Sequence, residues 1–375
     1  MGTEIKNKAF IDFSLRFASG LLLAAVLVTG TNTLIDASQI IHKDLYPQMA
    51  KLALAGNTVT TPGNYDERRY QLSVIEEMKE VPETIVAGSS RGMFLGTDVT
   101  GFDDIYNHCV SGAVIEDDYA ILGLYEEKFG KLPGRVILEL SPWFFCGDFS
   151  EQRWLENEAY ADAAIRMYQK INGRAPGEGG LGTGEETEDP YLSLSYFQYN
   201  LNVLKQKGWR AFGDTAKVSK DPDEAADLPD GTIRYAAASE HASKERLAKV
   251  QAAKGAVTYR GLGDAEGPDP EKCTEFENLV QYLLAQGCEV IFYLSPYSET
   301  QSTCIFDENL NPAIVKVQAY LRDYGRSKGI PVAGGYDARE SGLTDESFID
   351  YMHADREGNR IVWECLGPGE QTDER

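Results

Sequence analysis

Residues 84–91 read TIVAGSSR, a short apolar run that leads into Gly-Ser-Ser. Four small or β-branched residues without a charge are typical of a short strand that is buried on both faces. The run is followed at once by Gly88 and two serines, which predicts a sharp turn at the end of the strand. Ser90 would then stand at the carboxyl end of a buried strand, with its hydroxyl lifted away from the sheet.

Runs of the same form recur further along the chain. Residues 136–140 (VILEL) and 290–294 (VIFYL) are both followed by Ser-Pro, the first at Ser141. Residues 114–129 and 314–324 carry apolar residues at helical spacing. Short apolar strands that alternate with amphipathic helices predict an α/β domain, built as a three-layer, flavodoxin-like parallel sheet. In such a sheet, functional groups collect beyond the carboxyl ends of the strands.

The middle of the chain interrupts this alternation. Residues 173–189 are rich in Gly and Glu without any periodicity, and residues 217–230 are acidic and irregular. We therefore interpret residues 147–270 as an insertion within one α/β domain that covers residues 81–366. A free-standing second domain is the alternative.

The N-terminal region has the pattern of a membrane segment. Residues 17–30 read FASGLLLAAVLVTG, and basic residues precede them while the acidic bulk of the chain follows. Basic residues before an apolar run predict that the N-terminus stays inside. A bilayer requires about 20 residues, and the run reaches that length if it continues to residue 35. The pattern thus predicts a cytoplasmic N-terminus (residues 1–16), a signal-anchor transmembrane segment (residues 17–35) and a connecting region (residues 36–80).

Two other interpretations of this region are open. A cleaved signal peptide would have a similar apolar run, but no small-x-small cleavage site stands out. A buried core helix does not explain the basic residues before the run. Both membrane interpretations place the main domain outside the cytoplasm. The signal-anchor interpretation, which we favour, predicts a single-pass protein of the cell membrane.

The charge of the chain excludes one class of partner. The chain has 36 Lys and Arg against 59 Asp and Glu, a formal net charge of -23. Binding of DNA or RNA depends on Lys and Arg that replace phosphate counterions. We therefore expect no nucleic acid among the partners.

The stretch DYMH at residues 350–353 supplies a possible base for Ser90. An Asp three residues before a His can hold the imidazole through one N–H and leave the other nitrogen free as a base. Ser90, Asp350 and His353 are therefore the candidate catalytic residues. His108 lies in a strand-like run, where a core or supporting role is expected.

Other interpretations of these residues stay open on the sequence alone. Ser90 could belong to a turn that only satisfies backbone groups or binds a phosphate. Asp350 could be a helix cap, and a metal site of Asp350, His353 and Asp355 is a further alternative. No C-x-x-C pair is present, and we expect neither a metal nor an organic cofactor.

The ordered set of motifs resembles the SGNH/GDSL hydrolase superfamily. Gly88-Ser89-Ser90 resembles the family's Gly-Asp-Ser motif, which places the nucleophile at Ser90. The motif Asp-x-x-His matches residues 350–353, and Gly112 matches the glycine whose N–H serves the oxyanion hole. The sequence departs from the family at Ser89 and lacks the Gly-x-Asn-Asp motif, whose Asn is an oxyanion donor; Ser141 is the candidate replacement.

The resemblance is closer to membrane-anchored members of that superfamily. These act in teichoic-acid D-alanylation or in polysaccharide O-acetylation, beside a membrane-bound O-acyltransferase. It implies serine-dependent acyl transfer, or acyl-ester hydrolysis, on an envelope polysaccharide or teichoic-acid-like polymer. Ser90 and Gly112 would supply backbone oxyanion donors, and Arg91 and Trp143 are candidate substrate-binding residues. The alternative is a non-catalytic scaffold or binding subunit of an envelope acylation system.

Overall fold

Five short strands form one parallel sheet in the computed structural model of the chain. The strands among the described residues are, in chain order, β1 (Val59–Thr60), β2 (Thr84–Ala87), β3 (Ile105–Asn107), β4 (Arg135–Glu139), β5 (Ala226–Asp227), β6 (Ile233–Arg234), β7 (Glu289–Leu294) and β8 (Val332–Gly334). The large sheet has the order β3-β2-β4-β7-β8, and β1, β5 and β6 form a small antiparallel sheet. The structure describes residues 2–37, 41, 44–62, 65–146, 151–176, 189–208, 215–252, 262 and 265–366.

The order of the large sheet is that of flavodoxin-like folds. Counted along the chain, its strands stand second-first-third-fourth-fifth, so the order reverses between β2 and β4. Ile85 pairs with Val136, and Leu138 pairs with Phe292, which keeps the carboxyl ends of β2, β4 and β7 together. The predicted parallel α/β sheet is thus confirmed, and a parallel sheet of this kind opens a crevice where its order reverses.

The helices fill the connections between these strands. In chain order they are α1 (Gly2–Ile35), α2 (Leu45–Leu54), α3 (Glu67–Glu77), α4 (Thr97–Thr100), α5 (Ile115–Phe129), α6 (Glu158–Asn172), α7 (Leu194–Lys207), α8 (Ala237–Ala252), α9 (Pro270–Ala285), α10 (Glu299–Ser302), α11 (Pro312–Lys328) and α12 (Arg356–Glu364). Helix α5 runs over the region predicted from its apolar spacing, and Gly130 ends it in a left-handed conformation. Helices α9 and α11 both begin with Pro, whose fixed φ suits the first turn.

The chain divides into two compact units. One comprises Met1–Gln48, Pro62–Asp66 and Thr183–Ala216, and the other comprises Met49–Thr61, Glu67–Gly182 and Lys217–Arg375. The second unit contains both sheets. Part of the irregular stretch predicted at residues 173–189, namely 177–188, lies outside the described residues.

The first unit is built on the apolar N-terminal helix α1. Its segment Asp12–Ile35 contains an 18-residue window with a mean hydropathy of 1.7 and is long and apolar enough to cross a membrane. Only 6% of its most apolar window is buried, which is unlike a core helix. The helix is therefore compatible with the single-pass segment expected at residues 17–35.

His108 lies just beyond β3 and is buried in the second unit. Its Nδ1 is 2.7 Å from Gln71 Oε1, and its Nε2 is 2.7 Å from the Tyr125 hydroxyl. Burial lowers the pKa of His108 from 6.5 to about 3. The supporting role expected from its strand-like surroundings is confirmed, and His108 is held as a neutral imidazole.

This burial predicts an acid-sensitive contribution to stability. Between pH 6.5 and about 3 the unfolded chain binds a proton at His108 that the folded chain does not. The free energy of unfolding is therefore expected to fall with decreasing pH in that window, by up to ~1.4 kcal/mol per pH unit from this group. Urea unfolding at several pH values should show a shallower decline in His108→Gln, and equal slopes in the two proteins would contradict the assignment.

Candidate active site

The turn after β2 is shaped by close contact with the end of β4. Gly88 has a φ of +135°, and a Cβ there would lie 2.5 Å from the Glu139 carbonyl oxygen. Only glycine fits such a position. Ser89 then caps a single turn of 3-10 helix (Ser90–Gly92), its hydroxyl accepting the Arg91 N–H. The turn leaves Ser89 fully buried and Ser90 half-buried.

Ser90, His353 and Asp350 lie in one hydrogen-bonded chain. The Ser90 Oγ is 2.9 Å from His353 Nε2, and His353 Nδ1 is 2.9 Å from both carboxylate oxygens of Asp350. The three residues come from opposite ends of the domain sequence, 263 positions apart for Ser90 and His353. The structure thus brings together the three residues that the sequence singled out as catalytic candidates.

Asp350 is held as a carboxylate by its own loop. The backbone N–H groups of Met352 and His353 each donate to its Oδ1 at 2.9 Å. Burial alone would raise the pKa of Asp350, but the hydrogen bond and charge of His353, with these two N–H groups, lower it below 3.8. An ionised Asp350 accepts a proton-bearing Nδ1, which leaves Nε2 of a neutral His353 as the acceptor facing Ser90.

The loop that carries these residues is closed by backbone pairing. Phe348 and Ala354 form an antiparallel bridge, and the Ile349 N–H donates to the His353 carbonyl at 2.9 Å. Asp355 follows the loop and caps helix α12 by accepting the Gly358 N–H at 2.8 Å. Among the described residues, no group of His, Cys, Asp and Glu is arranged to hold a metal ion, so the alternative of a metal site finds no support there.

A buried carboxylate, Glu139, lies under the turn and was missed in the sequence. It is fully buried at the end of β4, and it accepts the Ser89 N–H and the Ser141 hydroxyl, each at 2.8 Å. Ser89 Oγ is in turn 3.0 Å from Ser141 Oγ. A Glu inside the apolar run VILEL was the available signal, since an unpaired carboxylate is rarely buried.

This network corrects the assignment of Ser141 as an oxyanion donor. A serine hydroxyl has one proton to donate, and that of Ser141 is directed to Glu139. Ser141 is also fully buried. Its hydroxyl therefore orders the turn that carries Ser90 and is not free to replace the missing Asn.

Arg91 also differs from its expected role as a substrate-binding residue. Its side chain is buried, its Nε–H donates to the Met352 carbonyl at 3.1 Å, and its Nη2 donates to the Ser295 carbonyl. The guanidinium lies 4.2 Å from the ring centroid of Tyr297 and 5.7 Å from that of Tyr336. Arg91 thus ties the serine turn to the residue that directly precedes His353, and it acts as a positioning residue.

Arg91→Met is expected to destabilise the fold. The apolar stem would be preserved, but the buried Ser295 carbonyl and the part-buried Met352 carbonyl would lose their donor, at a cost of about 2–4 kcal/mol in the free energy of unfolding. Urea denaturation measures this, and Arg91→Lys should restore part of the loss because an ammonium can reach one carbonyl. If Arg91→Met had unchanged stability and only weaker substrate binding, Arg91 would be a substrate-binding residue, as first predicted.

Trp143 is likewise part of the interior. It is 7% exposed, its indole N–H donates to the Ala113 carbonyl at 2.9 Å, and its ring meets Phe144 edge-on at 6.3 Å. The prediction of Trp143 as a substrate-binding wall is therefore corrected to a core residue that anchors the segment after β4. Sequence alone could not separate the two roles, because aromatic clusters serve both.

Gly112 lies in the loop after β3, two residues beyond Val110, which pairs with the turn that carries Ser90. Val110 bridges Ser89 in parallel and donates its N–H to the Gly88 carbonyl at 3.0 Å. Gly112 follows two residues later with a φ of +59°, and a Cβ there would lie 2.5 Å from Arg153 Nη2. The left-handed φ favours glycine at this position, while the oxyanion role of the Ser90 and Gly112 N–H groups stays a prediction.

A cavity of about 820 Å³ adjoins the Asp350 side of this site. Burial, and then the charges of Asp350 and Glu67, raise the pKa of Tyr235, which lines the cavity. Its lining includes two rings, five carboxylates and two guanidinium groups, among 14 residues: Phe94, Thr97, Asp98, Leu228, Pro229, Asp230, Ile233, Arg234, Tyr235, Glu240, Ile349, Asp355, Arg356 and Glu357. A volume of this size is typical of small-molecule sites.

Both guanidinium groups of this cavity are engaged by the protein. Arg356 pairs with Asp98 at 2.9 Å and donates to the Ile233 carbonyl. Arg234 donates to the Glu224 and Asp221 carbonyls and to a serine hydroxyl. Four of the five carboxylates are paired as well: Asp98 with Arg356, Glu240 and Asp355 with Lys244, and Glu357 with Arg360. The lining therefore offers neither guanidinium freely to an anionic ligand.

No protein-family model matches the chain, and no curated protein matches it in sequence.

Proposed function

We propose that the chain is a membrane-anchored serine enzyme of the SGNH type, which transfers or hydrolyses acyl groups on an envelope glycan or polymer. The hydrogen-bonded series Ser90–His353–Asp350, with 2.9 Å at each step, carries the proposal. The location of Ser90 after the first strand of a flavodoxin-like sheet also supports it. The envelope substrate rests on the resemblance and on the apolar helix α1.

In the first half-reaction, Ser90 Oγ would attack the carbonyl carbon of an ester or thioester. His353 Nε2 takes the Ser90 proton as the new C–O bond forms, and Asp350 stabilises the resulting imidazolium. Collapse of the tetrahedral intermediate breaks the bond to the leaving group. The leaving alcohol or thiol takes the proton from His353, and an acyl ester remains on Ser90.

In the second half-reaction, a hydroxyl of the acceptor would lose its proton to His353 and attack the acyl ester. The proton then returns to Ser90 Oγ, and the free enzyme is regenerated with the acyl group on the acceptor. Water in place of the acceptor gives hydrolysis. Exclusion of water by a partner, such as a membrane-bound O-acyltransferase, would favour transfer.

The cavity beside Asp350 is the proposed acceptor site. Its two rings, Phe94 and Tyr235, meet edge-on at 5.6 Å, and carboxylates accept hydrogen bonds from hydroxyl groups. Because both of its arginines are engaged, a neutral, hydroxyl-rich acceptor fits this lining better than a polyphosphate. This favours a polysaccharide acceptor over a teichoic-acid-like polymer.

A non-catalytic scaffold is the second candidate function. It is favoured because the Ser141 hydroxyl donates to Glu139 and cannot serve as the oxyanion donor. Removal of one such donor typically costs about 3 kcal/mol of transition-state stabilisation. The scaffold keeps the fold and the cavity but requires no reaction at Ser90.

An acyl-transfer assay separates these candidates. The full chain in detergent is given p-nitrophenyl acetate with either glycerol or glycerol 3-phosphate, and acylated products are measured by mass spectrometry. We expect product from the wild type, none above background from Ser90→Ala, and a preference for glycerol. Equal product formation in the wild type and in Ser90→Ala would refute the enzyme and favour the scaffold.

A further inference from the structure

We infer that helix α7 is a membrane-interface helix, which lies at the boundary between lipid headgroups and acyl chains beside the end of α1. The inference goes beyond the enzymatic proposal, but it rests on the proposed membrane anchoring by α1. It concerns only the unit that contains these two helices.

The last turns of α1 are covered by α7, while most side chains between residues 12 and 27 are exposed. Phe17, Leu22 and Leu27 are 60–67% exposed, whereas Val28 and Ile35 are buried. At ~1.5 Å per residue, residues 17–34 rise about 26 Å, close to the ~30 Å of a bilayer's hydrocarbon core. The covered turns therefore fall near one edge of the bilayer that α1 would span.

A buried polar network fixes α7 at this level. The Asn32 side-chain amide is fully buried and donates to the carbonyls of Pro190 at 2.8 Å and Ser193 at 3.0 Å, with a longer contact to that of Tyr191. Asn200 Nδ2 donates to Asn32 Oδ1 at 3.2 Å. Polar groups at membrane depth require such internal partners, because lipid tails supply none.

A second contact closes the network one turn later. The Tyr196 hydroxyl donates to Asp36 Oδ1 at 2.6 Å, and the Ala37 N–H donates to Asn200 Oδ1 at 3.0 Å. The α7 residues Tyr196 and Asn200 lie one helical turn apart and face α1. The polar face of α7 thus holds the helix against the end of α1. Its other described side chains are mostly exposed.

One exposed face of α7 is apolar. Leu194 and Leu201 are 63% and 40% exposed, with a spacing of seven residues that places them on one side of the helix. Leu192 and Tyr191, just before the helix, are also exposed. Leu34, in the last turn of α1, is 66% exposed, so both helices present apolar side chains at the same level.

The charge of α7 matches a phospholipid surface. Its sequence LSYFQYNLNVLKQK has two lysines and no acidic residue, in a chain with a net charge of -23. Tyrosine and lysine beside apolar residues are typical of segments at membrane interfaces. An apolar face, a basic end and a fixed position beside a spanning helix together favour lipid as the occupant of this surface.

Photolabelling from within the bilayer tests the inference. The full chain is reconstituted into vesicles of phosphatidylcholine and phosphatidylglycerol that contain a lipid with a diazirine on its acyl chain. After illumination, lipid adducts are mapped by mass spectrometry. We expect adducts on peptides from α1 and α7, and none on α8.

A matched pair of variants locates the contact on one face. Leu201→Glu is expected to lower the labelling of α7 at least about five-fold, because a charge would enter the apolar boundary. Asn202→Glu adds the same charge on the adjacent polar side and should leave labelling unchanged. Labelling of α1 without α7, or equal effects of the two variants, would overturn the inference, and absence of labelling on α1 would overturn the anchor as well.

Discussion

Replacement of Ser90 by Ala is expected to lower the rate of acyl transfer by about 10⁴-fold or more. The reason is that the acyl ester can form only on the Ser90 Oγ, which faces His353 Nε2 at 2.9 Å. His353→Ala should cost a similar factor, because the hydroxyl then has no base. The measurement is the initial rate of p-nitrophenol release from p-nitrophenyl acetate.

Because Ser90 and His353 act in the same step, their effects should not add. The double variant Ser90→Ala/His353→Ala is expected to be no slower than either single variant. His241→Ala is the matched control, since His241 is exposed and pairs only with Glu245 in the described structure. If the two effects multiplied in the double variant, or if His241→Ala lost as much activity, Ser90 and His353 would not act in the same step.

Glu139→Leu is expected to be the most destabilising change beneath the site. It would leave the Ser89 N–H and the Ser141 hydroxyl without their acceptor in a buried position, at a cost of about 2–5 kcal/mol in the free energy of unfolding. Glu139→Gln retains one acceptor oxygen and should cost less. Urea denaturation near neutral pH gives the values.

A double-mutant cycle tests whether the network acts as a unit. In Glu139→Leu/Ser141→Ala both partners of one hydrogen bond are removed, so the double variant should be more stable than the sum of the single effects predicts. Strict additivity, or a Glu139→Leu protein as stable as the wild type, would show that Glu139 does not support the turn.

The sheet could be predicted because its strands are short apolar runs with sharp ends. Residues 84–87 are enough to predict a buried strand, and Gly88 predicts the turn that follows it. The φ of Gly88, +135°, excludes other residues at this position. The relation of Asp350 to His353 was also predictable, since a spacing of three residues within one tight loop is a local property. Local chemistry of this kind needs no knowledge of the tertiary structure.

Arg91 could not be placed because its partners, Met352 and Ser295, are distant in the sequence, and Glu139 could not be placed because its burial depends on the turn after β2. An arginine beside an active-site turn is expected at the surface, and its burial depends on rings from the segments after β7 and β8. Ser141 was misassigned although its carboxylate acceptor, Glu139, lies only two residues away, because the fold decides that both side chains face the serine turn. Sequence patterns indicate which residues are polar and buried, whereas pairing is a property of the packed molecule.

Covalent labelling by a fluorophosphonate, mapped by mass spectrometry in the full chain, reports directly whether Ser90 is an activated nucleophile. We expect one adduct, on Ser90, that is lost in His353→Ala and strongly reduced in Asp350→Asn, where the imidazole is no longer held in the required tautomer. A folded wild-type protein that forms no adduct, or one that reacts equally well without His353, would contradict the claim that these three residues activate Ser90.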